Sequence, residues 1–306
     1  MFDAIAQCIP TQKLELDLPI ELSIKRLDLI HPQISGNKFF KLKYNFLAAQ
    51  QLDCKSIITF GGAYSNHIAS TAFAAQQFGF DSIGMIRGEE LQYKTLNATL
   101  STAQQFGMQL QFISREQYRH KDQTQFLAEL ERQFPNSYII PEGGTNTLAI
   151  QGCREILSAD DLQNYDVICC AVGTGGTISG LIQASSAQQK ILGFSALKGD
   201  FLNAEVAQYT AKSNWKIIDD YCFGGYAKIS PELLHFIQQF EQDFSIPLEQ
   251  IYTGKMLYGI FDLIQHGYFM TGCRILVIHS GGLQGRLPSL EQNRIQPISK
   301  KITNTC

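Results

Sequence analysis

The sequence predicts an α/β fold with two lobes and parallel-rich sheets. Three observations carry that prediction. Short apolar runs alternate with helical patterns through most of the chain, the signature of strand–helix–strand units whose strands run parallel. DVICCAV (166–172) is a near-continuous apolar run, as expected of a strand covered on both faces. The strand candidates fall into two sets, roughly 56–140 and 167–280, with no low-complexity linker and no internal repeat.

The elements follow in order. SIITF (56–60) reads as a buried strand, and HIASTAFAAQQFG as a helix stopped by Gly79. DSIGMIR (81–87) is the next strand, followed by helical LNATLSTAQQFG. MQLQFIS, a helix through FLAELERQF, and SYII repeat the cycle. A helical stretch after Gly152 leads into DVICCAV, and ILGFSAL, WKIIDD and RILVIHS complete the strands. In open α/β sheets, ligands bind at the carboxyl ends of strands, so the loops after these strands are the places where chemistry is expected.

Bulk properties narrow the function class. The chain has 306 residues, 44% of them hydrophobic and 17% charged, enough for one large domain or two ordinary ones with a packed core. The net charge is −3 with no basic block, which argues against a nucleic-acid partner. MFDAIAQCIP lacks the charged start and apolar run of a signal peptide. No stretch approaches the ~18 apolar residues of a membrane span. A cytoplasmic protein with no membrane partner is expected. The eight cysteines include adjacent Cys169 and Cys170 and no C-x-x-C pair. That spacing fits neither a zinc site nor a disulfide framework, so no metal and free thiols are expected.

Four post-strand loops stand out. In Gly61-Gly62-Ala63-Tyr64-Ser65-Asn66-His67, polar side chains sit at a helix start behind two glycines. They can cap that helix through Ser65 or Asn66, or meet a ligand. Gly173, Thr174, Gly175, Gly176 and Thr177 link DVICCAV to helical ISGLIQAS. Glycine amides, two hydroxyls and a helix N-terminus make an anion cradle there. The spacing is neither that of a Walker A loop nor G-x-G-x-x-G, so one compact phosphate fits better than a dinucleotide. Pro141-Glu142-Gly143-Gly144-Thr145-Asn146 reads by itself as a turn and cap. Ser280-Gly281-Gly282 is either a turn or a hydroxyl aimed at a ligand ring. Tyr226 and Tyr252 follow or precede glycine-rich turns and can serve as core, stacking partner or proton donor.

Lys38 stands directly behind Ser35-Gly36-Asn37, where a polar turn gives way to an amphipathic helix. A phosphate cradle, a bed of hydroxyls and aromatic rings, and one lysine amine are together what pyridoxal phosphate requires. A lysine of shifted pKa can bond the cofactor and then act as a base. Lys41 and Lys43 are read as ordinary basic residues of the helix.

At this point the chain resembles the 1-aminocyclopropane-1-carboxylate deaminase/D-cysteine desulfhydrase family, a branch of the fold-type II pyridoxal phosphate enzymes related to the tryptophan synthase β chain. The resemblance rests on KRLDL, SGNKFFKL, FGGAYSNH, PEGGTN, AVGTGGTISGL, FGGYAKI, YTGKMLYGIFDLI and VIHSGG, all in family order. It implies a two-lobed, three-layer fold. A large cofactor-binding domain would comprise 1–45 and 155–306, and a small inserted domain 46–154. It implies that Lys38 carries the cofactor, that Asn66 lies beside its phenolic oxygen, and that Gly173 to Thr177 hold its phosphate. Ser65, Asn66 and His67 would receive a substrate carboxylate, with Tyr226 and Tyr252 flanking the substrate. A homodimer acting on a small amino acid is the expected assembly.

The resemblance diverges at the cofactor's ring nitrogen. The deaminases carry a glutamate after the tyrosine of the Tyr-x-Gly-Lys segment and an apolar residue in the His-x-Gly-Gly segment. Here those positions are Thr253 and Ser280, hydroxyls as in the desulfhydrases. A carboxylate there favours a protonated, strongly electron-withdrawing ring, whereas a hydroxyl can donate to a neutral nitrogen. The favoured reading is therefore β-elimination from D-cysteine or a similar small D-amino acid, giving pyruvate, ammonia and sulfide. Lys38 would remove the Cα proton, and Tyr226 or Tyr252 would protonate the leaving group. The alternative is cyclopropane opening to 2-oxobutyrate and ammonia. A third reading, of another class, is a non-catalytic module that binds the cofactor.

Overall fold

A computed structural model describes residues 1–291; the end of the expected large domain, 292–306, lies outside the described residues. The chain forms two compact units. One comprises Met1–Ala6, His31–Ile34 and Lys38–Gly152. The other comprises Gln7–Ile30, Ser35–Asn37 and the chain from Cys153 onward.

The first unit is built on a four-stranded sheet in the spatial order Met108–Ile113, Asp81–Arg87, Ser56–Gly61, Ser137–Ile140. All its pairings are parallel, so every strand ends at the same edge. Ser56–Gly61 is an inner strand, and the Asn66–Phe78 helix returns across it. That helix stops at Gly79, whose φ of +77° suits a left-handed cap, with the Phe80 N–H donating to the Ala75 carbonyl at 2.9 Å. Ile68, Ala72, Ile86 and Leu100 fill one side of the sheet; Ile58, Phe60, Met85 and Tyr118 fill the other.

The second unit holds six strands in the order Thr11–Leu14, Glu21–Lys25, Arg274–Ile278, Val167–Val172, Lys190–Ser195, Trp215–Ile218. The first pair is antiparallel and the rest are parallel. Val167–Val172 is buried at every position, as its uninterrupted apolar run demands. Ile24, Cys169, Leu192 and Val277 pack with Leu233, Ile237, Met256, Leu257 and Ile260 of two amphipathic helices, Pro231–Phe244 and Thr253–Gln265. The two N-terminal strands were not expected from the sequence. They are four and five residues long, too short for a clear period of two, and pairing with Arg274–Ile278 completes them.

No helix among the described residues is long and apolar enough to cross a membrane, and no group of side chains there could hold a metal ion. The free-thiol expectation holds for Cys54, Cys153, Cys169, Cys170, Cys222 and Cys273.

A buried ion cluster underlies the Ser280 loop. Arg26 donates to both oxygens of Asp28, at 2.8 Å and 2.6 Å, and His279 Nδ1 lies 3.3 Å from Asp28 Oδ1. Burial raises the pKa of Asp28, but His279 and then Arg26 outweigh it, and the net shift is downward. A carboxyl lowered in the folded state adds stability above its unfolded pKa of about 3.9 and loses it as pH falls through the folded value. Asp28→Asn is expected to be about 3–5 kcal/mol less stable at neutral pH, because it breaks a buried pair. Its stability should also fall less steeply than that of the wild type below about pH 4. Parallel acid limbs in thermal melts of the two proteins would contradict this account.

Candidate active site

In the first unit, the loops after Ser56–Gly61 and Ser137–Ile140 emerge side by side, because those strands are parallel neighbours. Gly144 therefore lies against His67: a Cβ on Gly144 would sit 2.9 Å from His67 Cε1. Lys41 ties the second loop to the Asn37–Gln51 helix by donating to the Gly143 carbonyl and Thr145 Oγ1, both at 2.9 Å. Lys41, read from the sequence as an ordinary basic residue of the helix, is 3% exposed and acts as a buried strut. Lys43 pairs with Asp3.

Ser65 begins the Asn66–Phe78 helix in an extended conformation, yet its side chain makes no capping bond. The cap alternative therefore does not describe this loop. Asn66 Oδ1 is buried without a protein partner, and a buried polar atom of that kind calls for a ligand or water. His67 is 1% exposed. Its Nε2 lies 2.8 Å from Thr59 Oγ1, and Thr59 gives its single hydroxyl proton to the Ile140 carbonyl at 2.9 Å. Both contacts are satisfied when Nε2 carries the proton and donates to Thr59. Nδ1 is then an acceptor, buried and without a protein partner. Burial, then the charges of Lys38 and Lys41, push the His67 pKa well below the usual range. His67 is a neutral imidazole whose one N–H is already used.

In the second unit, Val167–Val172 and Arg274–Ile278 are parallel neighbours, so the 173–177 turn and Ser280 leave the same sheet edge. Gly175 adopts φ +78°, and the Gly176–Ala184 helix starts directly behind it. Thr177 Oγ1 accepts from Asn37 Nδ2 at 2.7 Å, which directs the hydroxyl's own proton elsewhere. Tyr252 covers the turn; a Cβ on Gly173 would sit 3.1 Å from its ring. Tyr226 meets Tyr252 edge-on with centroids 6.2 Å apart. Gly36 approaches so closely that a Cβ there would lie 1.9 Å from the Ser280 carbonyl oxygen, and Asn37 N–H donates to that same oxygen. Lys38 is the next residue in the chain.

Two residues that sequence reasoning missed organise this half. Lys255, 2% exposed, donates to the Cys222 and Gly225 carbonyls at 2.8 Å and 2.9 Å. It pins the turn that presents Tyr226, in which Phe223, Gly224, Gly225 and Ala227 all take positive φ. Its place in the Tyr-x-Gly-Lys segment was the available signal. Glu249, 2% exposed, binds the start of the Thr253–Gln265 helix and the Thr253 side chain. No local motif marked it.

The donor set fits pyridoxal phosphate. In the second unit the glycine turn at a helix N-terminus suits a phosphate, and in the first unit, taken by itself, the orphaned Asn66 oxygen suits a polar ring substituent. The sequence profile of the family described as "pyridoxal-phosphate dependent enzyme" matches residues 4–281. The chain belongs to that family. Its cofactor is pyridoxal phosphate, and the family's α/β fold is the one described above. A relative from Arabidopsis thaliana, named a bifunctional D-cysteine desulfhydrase/1-aminocyclopropane-1-carboxylate deaminase, is 31% identical over 89% of this chain and 75% of its own. One from Thermotoga maritima, named a putative 1-aminocyclopropane-1-carboxylate deaminase, is 29% identical over 86% of this chain and 88% of its own. The crystal structure of an ACC deaminase homologue superposes with a TM-score of 0.79 at 28% identity, covering 92% of this chain and 91% of that one.

Proposed function

We propose that this enzyme catalyses β-elimination from D-cysteine or a similar small D-amino acid, releasing pyruvate, ammonia and sulfide. The observation that carries the reading is position 253. It lies at the start of the Thr253–Gln265 helix, next to the tyrosine that covers the 173–177 turn, and it holds a fully buried threonine rather than a carboxylate. Ser280 supplies a second hydroxyl.

When bound, pyridoxal phosphate withdraws electrons from the substrate's Cα so that an adjoining bond can break. The protein's residues do the rest. The 173–177 turn would hold the phosphate, and Lys38 would carry the cofactor. The Lys38 amine would take the Cα proton as general base. Ser65 and Asn66 orient the substrate carboxylate. We assign no side-chain hydrogen bond from His67 to that carboxylate, because its N–H is used by Thr59 and its other nitrogen only accepts. His67 instead supports the loop. Tyr226 or Tyr252 would protonate the leaving thiolate; Tyr226 is 41% exposed and meets Tyr252 edge-on. The proposal extends to a cytoplasmic homodimer, which light scattering of the purified protein would test.

A second reading, cyclopropane opening to 2-oxobutyrate and ammonia, draws on the names of the relatives and on Glu249, whose carboxylate lies one hydrogen bond behind Thr253. The test is to mix purified, cofactor-loaded protein separately with D-cysteine, L-cysteine and the cyclopropane amino acid. The cofactor's visible absorbance is followed, and sulfide, pyruvate and 2-oxobutyrate are assayed. Pyruvate and sulfide from D-cysteine, faster than any 2-oxobutyrate, are expected. Predominant 2-oxobutyrate would establish the second reading instead.

A further inference from the structure

Thr253 stands where the resemblance places a partner for the cofactor's ring nitrogen, and its hydroxyl would ordinarily be free to donate. The structure accounts for that proton differently. Thr253 Oγ1 accepts from the backbone N–H of Glu249 at 3.0 Å. The acceptors recorded for its own proton are Glu249 Oε1 at 3.1 Å and the Glu249 carbonyl at 3.4 Å. Oε1 is the nearer acceptor, and a hydrogen bond to a charged group is the stronger kind, so the proton goes to the carboxylate.

The carboxylate itself is surrounded by donors. Oε2 accepts from Ile251 N–H at 2.6 Å; Oε1 accepts from the N–H groups of Tyr252 and Thr253, at 2.8 Å and 2.5 Å. The amides at a helix start carry a positive partial charge and have no partners inside the helix. Burial outweighs these amides, which lower the Glu249 pKa, and the net shift is upward; Lys255 feels the charge of Glu249, and it is the donor geometry that supports the ionised form. With donors facing both oxygens, neither has an acceptor to which a carboxyl proton could be given, as suits an ionised carboxylate.

We propose that Glu249 is a positioning residue that reserves the Thr253 hydroxyl as an acceptor, so that the site favours a protonated cofactor ring nitrogen. A hydroxyl whose one proton is committed offers a partner only a lone pair. A pyridinium N–H can use that lone pair; a neutral pyridine nitrogen cannot. Glu249 therefore favours, at one remove, the ring protonation that a directly placed glutamate would favour, and a pyridinium result would weigh toward cyclopropane opening over β-elimination in the proposed function. The inference rests on the assignment of Thr253 to the ring nitrogen in the proposed function.

The test is the ¹⁵N NMR resonance of ring-labelled pyridoxal phosphate bound to the wild type, Glu249→Gln and Thr253→Val, with thermal melting as a check on folding. The wild-type nitrogen is expected at the pyridinium position. Glu249→Gln keeps an acceptor oxygen at the Oε1 position but removes the charge that holds the hydroxyl proton, and should move the resonance toward the neutral pyridine position. Thr253→Val keeps the helix-start bonds to Glu249 but removes the acceptor, and should shift it the same way. A neutral resonance in the wild type, or a pyridinium resonance unchanged in folded variants, would overturn the proposal while leaving the proposed function in place. Should Glu249→Gln fail to fold, the wild type and Thr253→Val decide the matter. Failure of the wild type to take up the cofactor would instead remove the proposed function, and this inference with it.

Discussion

Lys38→Ala is expected to lose turnover by at least about 10²–10⁴-fold, the usual worth of a positioned acid–base group. It should also lose the visible band of lysine-bound cofactor. The fold should survive, since Lys38 is the second residue of the Asn37–Gln51 helix and alanine is the strongest helix former. Lys41→Ala is the informative contrast. It removes the ties to Gly143 and Thr145 and should cost stability, yet it should keep the covalently bound cofactor. Absorbance spectra and melting curves of the two variants measure both effects. Full turnover in Lys38→Ala would eliminate the assigned chemistry.

Gly36→Ala should be the most damaging single-methyl change near the candidate site. Two costs combine. Its φ is +68°, a conformation costing a non-glycine residue about 1–3 kcal/mol. The added Cβ would also lie 1.9 Å from the Ser280 carbonyl oxygen and 2.4 Å from its carbon. Those are backbone atoms, so no rotamer change relieves the overlap. A loss of about 3–5 kcal/mol is expected, together with displacement of Ser280. Gly79→Ala separates the two costs. Gly79 has a similar φ of +77°, but its Cβ would meet nothing within 4 Å, so about 1–2 kcal/mol is expected. Equal losses in denaturant melts of the two variants would refute the close-contact argument.

The strands of both sheets show where local pattern suffices. Asp81–Arg87 and Val167–Val172 end where the runs read from the sequence end, because burial in a parallel sheet leaves a continuous apolar signal. The N-terminal pair, Thr11–Leu14 and Glu21–Lys25, escaped notice because short strands at a sheet edge carry little pattern of their own. At the candidate site, glycines and hydroxyls after strands marked the loops on which the proposed function draws. Their side-chain states were not legible. Ser65 looked like a cap and makes no capping bond. His67 looked like a carboxylate ligand, and its tautomer is set by Thr59, eight residues earlier, and by the Ile140 carbonyl on a neighbouring strand. Thr253 looked like a donor, and Glu249 takes its proton.

By itself the sequence determined the strand–helix alternation, the post-strand loops, and the lysine and glycine turn here proposed to hold a phosphate-bearing cofactor. These follow from burial, backbone freedom and residue chemistry, all properties of residues close together in the chain. Only the tertiary structure decided which hydroxyls and imidazoles donate and which accept. Each such group has one proton to place, and its destination depends on partners brought into reach by sheet pairing and helix packing.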